Sequence, residues 1–94
     1  MLLERAEILI NEGREQGFST AMRDRGIQML ASVPGVMSVN FGQGVENPGK
    51  FMLLVEWESM DAHRAYNTTC VCGEVRALIG GFSKGGSMEH FKMG

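Results

Sequence analysis

The spacing of apolar residues changes several times along the chain, and each change marks an element. From Leu2 to Ile10 the pattern alternates: Leu2, Ala6, Ile8 and Ile10 fall on one face of an extended strand, and Leu3, Arg5, Glu7 and Leu9 on the other. Asn11-Glu12-Gly13 is a turn signal. From about Glu15 to Ser32 the spacing becomes helical, with Phe18, Ala21, Met22, Met29, Leu30 and Val33 recurring at three- and four-residue steps. Arg14, Glu15, Arg23, Asp24 and Arg25 lie mostly off that stripe. Gly17 and Gly26 each weaken the helix by ~1 kcal/mol relative to Ala, and Pro34-Gly35 ends it. Val36 to Gln43 reads as a second strand, with Met37, Val39 and Phe41 in an apolar row and Val36, Ser38 and Asn40 in a more polar one. Gly42 to Lys50 is rich in turn residues and too long for a tight hairpin; it reads as an exposed connection, or a flap beside a cleft.

Phe51 to Trp57 is apolar on both faces, with Phe51, Leu53, Val55 and Trp57 on one and Met52 and Leu54 on the other. This is the pattern of a central strand covered on both sides. Ser59 is placed as an N-cap, with Asp61 in the first turn of a helix that runs to Tyr66. After a polar break at Asn67-Thr68-Thr69, the residues Val71, Val75, Leu78 and Ile79 form a short amphipathic turn or two. Gly80 to Ser87 is expected to be a loop, and Met88 to Met93 a last strand, with Met88, His90 and Lys92 opposite Glu89, Phe91 and Met93.

The order strand, helix, strand, strand, helix, strand is that of an α+β, ferredoxin-like split β-α-β domain. Two helices would cover one face of a four-stranded antiparallel sheet. No repeat or linker divides residues 1–94, so one domain is expected. The strand at Phe51–Trp57 then has an apolar face with no helix to cover it, and a second copy of the sheet is the simplest cover: a homodimer.

Composition narrows the partners. A net charge of −2 argues against nucleic acid or an anionic membrane surface, and no apolar run is long enough to span a bilayer. Glu4 and Arg5 interrupt the apolar start where a signal peptide needs continuity. Cys70 and Cys72, one residue apart, cannot staple distant elements, and a cytoplasmic, reducing setting is expected. On a helix they would point roughly 200° apart, and with two scattered His they lack zinc-site spacing, so no metal site is expected. GGFSKGGS precedes a strand rather than a helix, which argues against a phosphate loop.

Four stretches carry a family likeness: NEG opening the first helix, VPGV leading into the second strand, FMLLVEWESMDAH at the centre, and MEHF in the last strand. Over nearly the whole chain they resemble the antibiotic biosynthesis monooxygenase (ABM) family of dimeric α/β barrels. The resemblance implies a ferredoxin-like protomer, a homodimer, and a cleft between sheet and helices. It also implies an oxygenase that needs no cofactor and acts on a small aromatic molecule of phenolic, quinol-like or polyketide type. The alternative on the same fold is a non-oxidative isomerase or cyclase, or a dimer that binds a small molecule without turnover. The family's haem-degrading members use an Asn on the first strand and a His late in the second helical region; those places hold Ala6 and Arg76 here, which offer no axial ligand.

Against that background the chemical candidates are few. Tyr66 stands where the family often places His; it is either a proton donor to a phenolic or keto oxygen or a half-buried packing residue. His90 in the last strand and His63 in the second helix are candidates for proton transfer. The plainer alternatives are a structural role for His90 and a solvated surface position for His63, one helical face away from Tyr66. Asn40 is placed to orient a substrate oxygen or dioxygen, or else is an exposed edge residue. Trp57, with Phe18 and Met22 from the first helix, is expected to shape the wall of the cleft, although large aromatics more often serve the core.

Overall fold

The computed structural model describes Met1–Gly94. The elements run β1 (Leu2–Ile10), α1 (Glu15–Ala21), a π-helical segment (Met22–Gly26), α2 (Ile27–Ala31), β2 (Val36–Gln43), β3 (Lys50–Trp57), α3 (Met60–Tyr66), α4 (Cys70–Gly80) and β4 (Ser83–Lys92). The four strands form one sheet in the order β2-β3-β1-β4, with every neighbouring pair antiparallel. This is the α+β, ferredoxin-like arrangement that the periodicity predicts, with the helices packed on one face.

Register decides which side chains face the helices. In β1 alternate residues are buried, starting at Leu2, and in β3 alternate residues starting at Phe51. Leu53 lies opposite Ala6 and Phe41, so Phe41 joins the same inner row. Two groups of aromatic side chains anchor this layer. At one end Phe18 of α1 meets Phe51 edge-on at 4.9 Å, with Phe41 and Phe82 each 5.8 Å away. At the other end the fully buried Trp57 lies against His63 and Tyr66, with ring centroids at 5.1 and 5.2 Å. Edge-on and tilted pairs of this kind add to simple area burial.

The first helical region follows one path from Glu15 to Ala31, with the π segment in its middle. There Gly26 leaves room for the side chain of Met22: a Cβ would lie 2.6 Å from the Met22 sulfur. Gly35 ends the region at φ 89°, in the left-handed range that favours glycine, and its carbonyl accepts from the Glu58 N–H at 2.8 Å. The Ser59 hydroxyl caps α3 by accepting from the Ala62 N–H, as expected of that residue.

The structure corrects the sequence expectation in the last third of the chain. The segment after Asn67 is an eleven-residue helix, capped by the Thr69 hydroxyl accepting from the Cys72 N–H, rather than a turn or two. The polar run Asn67-Thr68-Thr69 hides that cap inside what looks like a break. Gly80 to Ser87 is not a loop throughout: β4 begins at Ser83, and Gly85 and Gly86 pair with Leu9 and Ile8. Glycine weakens a strand on its own, but here the neighbouring backbone comes so close that a Cβ at Gly86 would run into the Glu7 carbonyl. β4 also ends at Lys92, one residue before Met93.

On the far face, Leu3, Leu9, Met52 and Leu54 stand half-buried without a helix above them, and Phe91 is exposed. Charges are threaded among them: Arg5 pairs with Glu89 at 3.1 Å, and Lys50 with Glu7 at 3.3 Å. No helix is long and apolar enough to cross a membrane.

Candidate functional site

A cleft of about 590 Å3 opens between the inner face of β1 and β4 and the helices α3 and α4. It exists because β4 is left largely exposed, whereas β1 and β3 are roofed by helices. Its apolar wall comes from Ile8, Leu30, Leu53, Val75, Ile79 and Met88. Its polar lining concentrates Glu4, His63, Tyr66, Asn67, Arg76 and His90.

Glu4 is the residue that the strand alternation passes over. It occupies an inward position of β1 between Leu2 and Ala6 and is buried. Its carboxylate oxygen Oε1 accepts from the Trp57 indole Nε1 at 3.0 Å and stands 3.3 Å from His63 Nε2. The side chains of His63 and Glu4 are only 9% and 10% exposed. A charged residue is almost never fully buried without a partner, so a glutamate on the inward row was itself the signal that could have found this site.

His63 departs from the sequence expectation. It is not a solvated surface residue but is buried, on the face of α3 turned toward the sheet. Three residues along a helix keep side chains on one side, so His63 and Tyr66 share that face rather than diverging, with ring centroids 6.5 Å apart. His90 reaches the same point from β4. It pairs in register with Glu4, and its ring centre lies 4.6 Å from that of His63.

Electrostatics shift His63 and Tyr66 in opposite senses. Burial holds the His63 imidazole below its ordinary value; the charges of His90 and Arg76 act in the same direction, and Glu4 opposes them. The neutral imidazole is therefore the form favoured near pH 7. Burial pushes the Tyr66 hydroxyl up, reinforced by the charge and hydrogen bond of the Cys72 thiol and by Glu4, with Arg76 opposing. Tyr66 stays protonated and is a donor. The site thus offers a neutral imidazole beside a carboxylate, a second imidazole and a phenolic donor, at the floor of an apolar cleft.

The other sequence candidates lie elsewhere. Trp57 is fully buried behind His63 and Tyr66 and braces both. Phe18 and Met22 are fully buried in the core. Asn40 pairs with Leu54, on the opposite face of the sheet from Leu53 and the cleft. Cys70 is exposed, whereas Cys72 is buried and lines the cleft. Asn67, at the end of α3, and Cys72 and Arg76 of α4 join the lining.

Comparison with known proteins places this geometry. The family model described as antibiotic biosynthesis monooxygenase matches residues 1–79. An uncharacterised protein, YczJ of Bacillus subtilis (strain 168), is 30% identical over 94 residues that make up 98% of each chain. A solved structure from Bordetella bronchiseptica, whose own name assigns it provisionally to the antibiotic biosynthesis monooxygenases, superposes with a TM-score of 0.86 at 26% identity, covering 98% of this chain and 95% of that one. A second, from Deinococcus radiodurans and named in the same provisional way, reaches a TM-score of 0.86 at only 9% identity, covering 100% and 93%, and speaks for the fold alone. With the family model matched over most of the chain and the fold superposing on a solved member-like structure, the chain belongs to the antibiotic biosynthesis monooxygenase family.

Proposed function

We propose that this chain is a cofactor-independent monooxygenase that oxidises a small phenolic, quinol-like or polyketide-type molecule in the cleft. The observation that carries the reading is the Glu4–His63 pair, with His90 and Tyr66 beside it, at the base of an apolar pocket. An activated phenol or its keto tautomer needs only to lose a proton to become an electron-rich anion that reacts with dioxygen. At a CH2 carbon, one oxygen atom ends as the new carbonyl and the other leaves as water with both hydrogens, so the substrate supplies every electron and no external reductant enters.

The protein's task is then to bind, deprotonate and exclude water. The Glu4–His63 pair takes the proton, and the carboxylate stabilises the imidazolium that results. Tyr66 donates to the oxygen on which negative charge develops, an interaction stronger in the anion than in the starting phenol. His90, nearer to solvent, passes the proton outward. Leu53, Val75 and Ile79 hold the ring.

In the same proposal the chain is a homodimer. The half-buried Leu3, Leu9, Met52 and Leu54, with Phe91, meet their equivalents in a second copy.

Oxygen consumption by chelator-treated protein, followed across a panel of anthrone-type compounds, quinols and polyketide-type phenols, tests the activity. Uptake stoichiometric with product, and dependent on His63, is the expected result. Conversion that proceeds equally without oxygen would assign an isomerase or cyclase to the same cleft. Saturable binding with no conversion of any compound would make the protein a binding module.

A further inference from the structure

We propose that Glu4, His63 and His90 form a binding site for one divalent first-row transition-metal ion of the zinc or cobalt class, with the remaining coordination positions open to the cleft. One potential ligand atom from each of the three residues lies within 4.8 Å of those of the other two. Glu4 Oε1 and His63 Nε2 are already 3.3 Å apart. Two ligands each bound at about 2.0–2.1 Å to one ion are separated by roughly this distance, so little movement is needed to close the pair around a metal. The rings of His63 and His90 meet at 60° with centres 4.6 Å apart, converging rather than stacking.

The arrangement is held by the fold. Glu4 and His90 are register partners on neighbouring strands, so the sheet fixes their separation. His63 descends from α3 above them. The Trp57 N–H holds the Glu4 carboxylate at 3.0 Å, which is the outer contact that orients a ligating group in metal sites. The basic group beside Glu4 is the His63 imidazole, and Glu4 forms no ion pair with Lys or Arg, so a cation would neutralise a buried carboxylate. Two imidazoles and one carboxylate with open positions suit zinc, cobalt, nickel or iron(II), and are a poor match for the all-oxygen preference of calcium or magnesium.

A metal site here goes beyond the proposed oxidation and constrains it. An imidazole nitrogen bound to a metal has no lone pair for a proton, so the occupied site and the Glu4–His63 base are alternative states of the same residues.

The test is a titration of chelator-stripped, folded protein with Co2+, followed by visible absorption, and with Zn2+, followed by calorimetry. The expected result is one Co2+ per chain with the visible bands of a four- or five-coordinate ion, displaced by Zn2+. His90→Ala should weaken binding about tenfold or more; His90 is exposed, so this variant tests the site without disturbing the core. Glu4→Gln should weaken it further, provided its circular dichroism is unchanged. Cys70→Ser should leave binding intact. No saturable Co2+ binding by the folded protein would overturn the proposal. So would equal affinity in His90→Ala, or binding lost in Cys70→Ser, which would assign the metal to the exposed thiol. None of these readouts depends on turnover, so failure to find an oxidisable substrate leaves the metal result standing, and the converse also holds.

Discussion

The indole N–H of Trp57 donates to the Glu4 carboxylate at 3.0 Å across 53 residues of sequence, inside the layer between sheet and helices. It ties the end of β3 to the middle of the site, and it predicts a measurable coupling. Trp57→Phe leaves a buried acceptor without that donor, at a cost of about 1–3 kcal/mol. Urea denaturation of Trp57→Phe, Glu4→Gln and the double variant should show the two losses to be less than additive by more than ~0.5 kcal/mol. Strict additivity would mean that the bond contributes nothing to folding.

Glycine positions should respond in opposite directions. At Gly35, φ is 89° and a Cβ would press on the Ala62 side chain, so Gly35→Ala should lower stability by about 1–2 kcal/mol or more. Gly73 lies within α4 with no atom within 4 Å of a Cβ placed there. Gly73→Ala should therefore raise stability by up to about 1 kcal/mol. Thermal midpoints that move in the same direction for both would contradict the backbone argument.

Tyr66 is held protonated by its surroundings. Once an oxidised substrate is in hand, Tyr66→Phe should reduce kcat about tenfold or more, with a smaller change in KM, because the hydroxyl acts on charge that develops during the reaction. An unchanged kcat would remove the hydroxyl from the mechanism and leave Tyr66 as a packing residue.

Stability should fall in mild acid for a reason specific to His63. Its folded-state value is lowered, chiefly by burial, against about 6.5 in the unfolded chain. Between those two values the unfolded chain binds more protons than the folded one, so stability rises with pH there. The contribution is complete above about pH 6.5 and is lost as pH falls through the folded-state value. With a chelator present, denaturant midpoints between about pH 7.5 and 5 should drop more steeply for the native sequence than for His63→Gln. Parallel curves would show that His63 carries no such linkage.

The proposed homodimer has its own test. Light scattering should give twice the chain mass of 10.3 kDa. Leu54→Glu, on the open face opposite Arg5 and Asn40, should shift the protein toward monomer while keeping its helical signal. A native sequence that elutes as a 10.3 kDa monomer at micromolar concentration would defeat the pairing.

Much of the architecture was legible in the sequence. Two-residue alternation in Leu2–Ile10, and the run Phe51–Trp57 that is apolar on both faces, place the two central strands, because side chains on a strand must follow the pleat. The Ser59 cap and the Pro34-Gly35 stop fall where local chemistry puts them, since such signals act over a few residues. Where pattern failed, longer-range contacts had overruled it. Gly85 and Gly86 look like loop residues until β1 is set beside them, and α4 is obscured by the polar run that caps it.

The sequence by itself therefore determined the order of elements, the ferredoxin-like sheet and the family likeness, all of which rest on local periodicity and on short motifs. Only the tertiary structure decided the site. Glu4, His63 and His90 lie on three elements, and their meeting depends on the register of β1 against β4 and on the rotation of α3 about its axis. Neither quantity is written in residue spacing. The rotation of α3 turned His63 inward, the pairing of β2 with β3 set Asn40 on the far face, and the packing of the first helical region on the sheet sealed Phe18 and Met22 in the core. A strand alternates faces whatever its neighbours do, but which atoms converge in a cleft is settled when the layers pack.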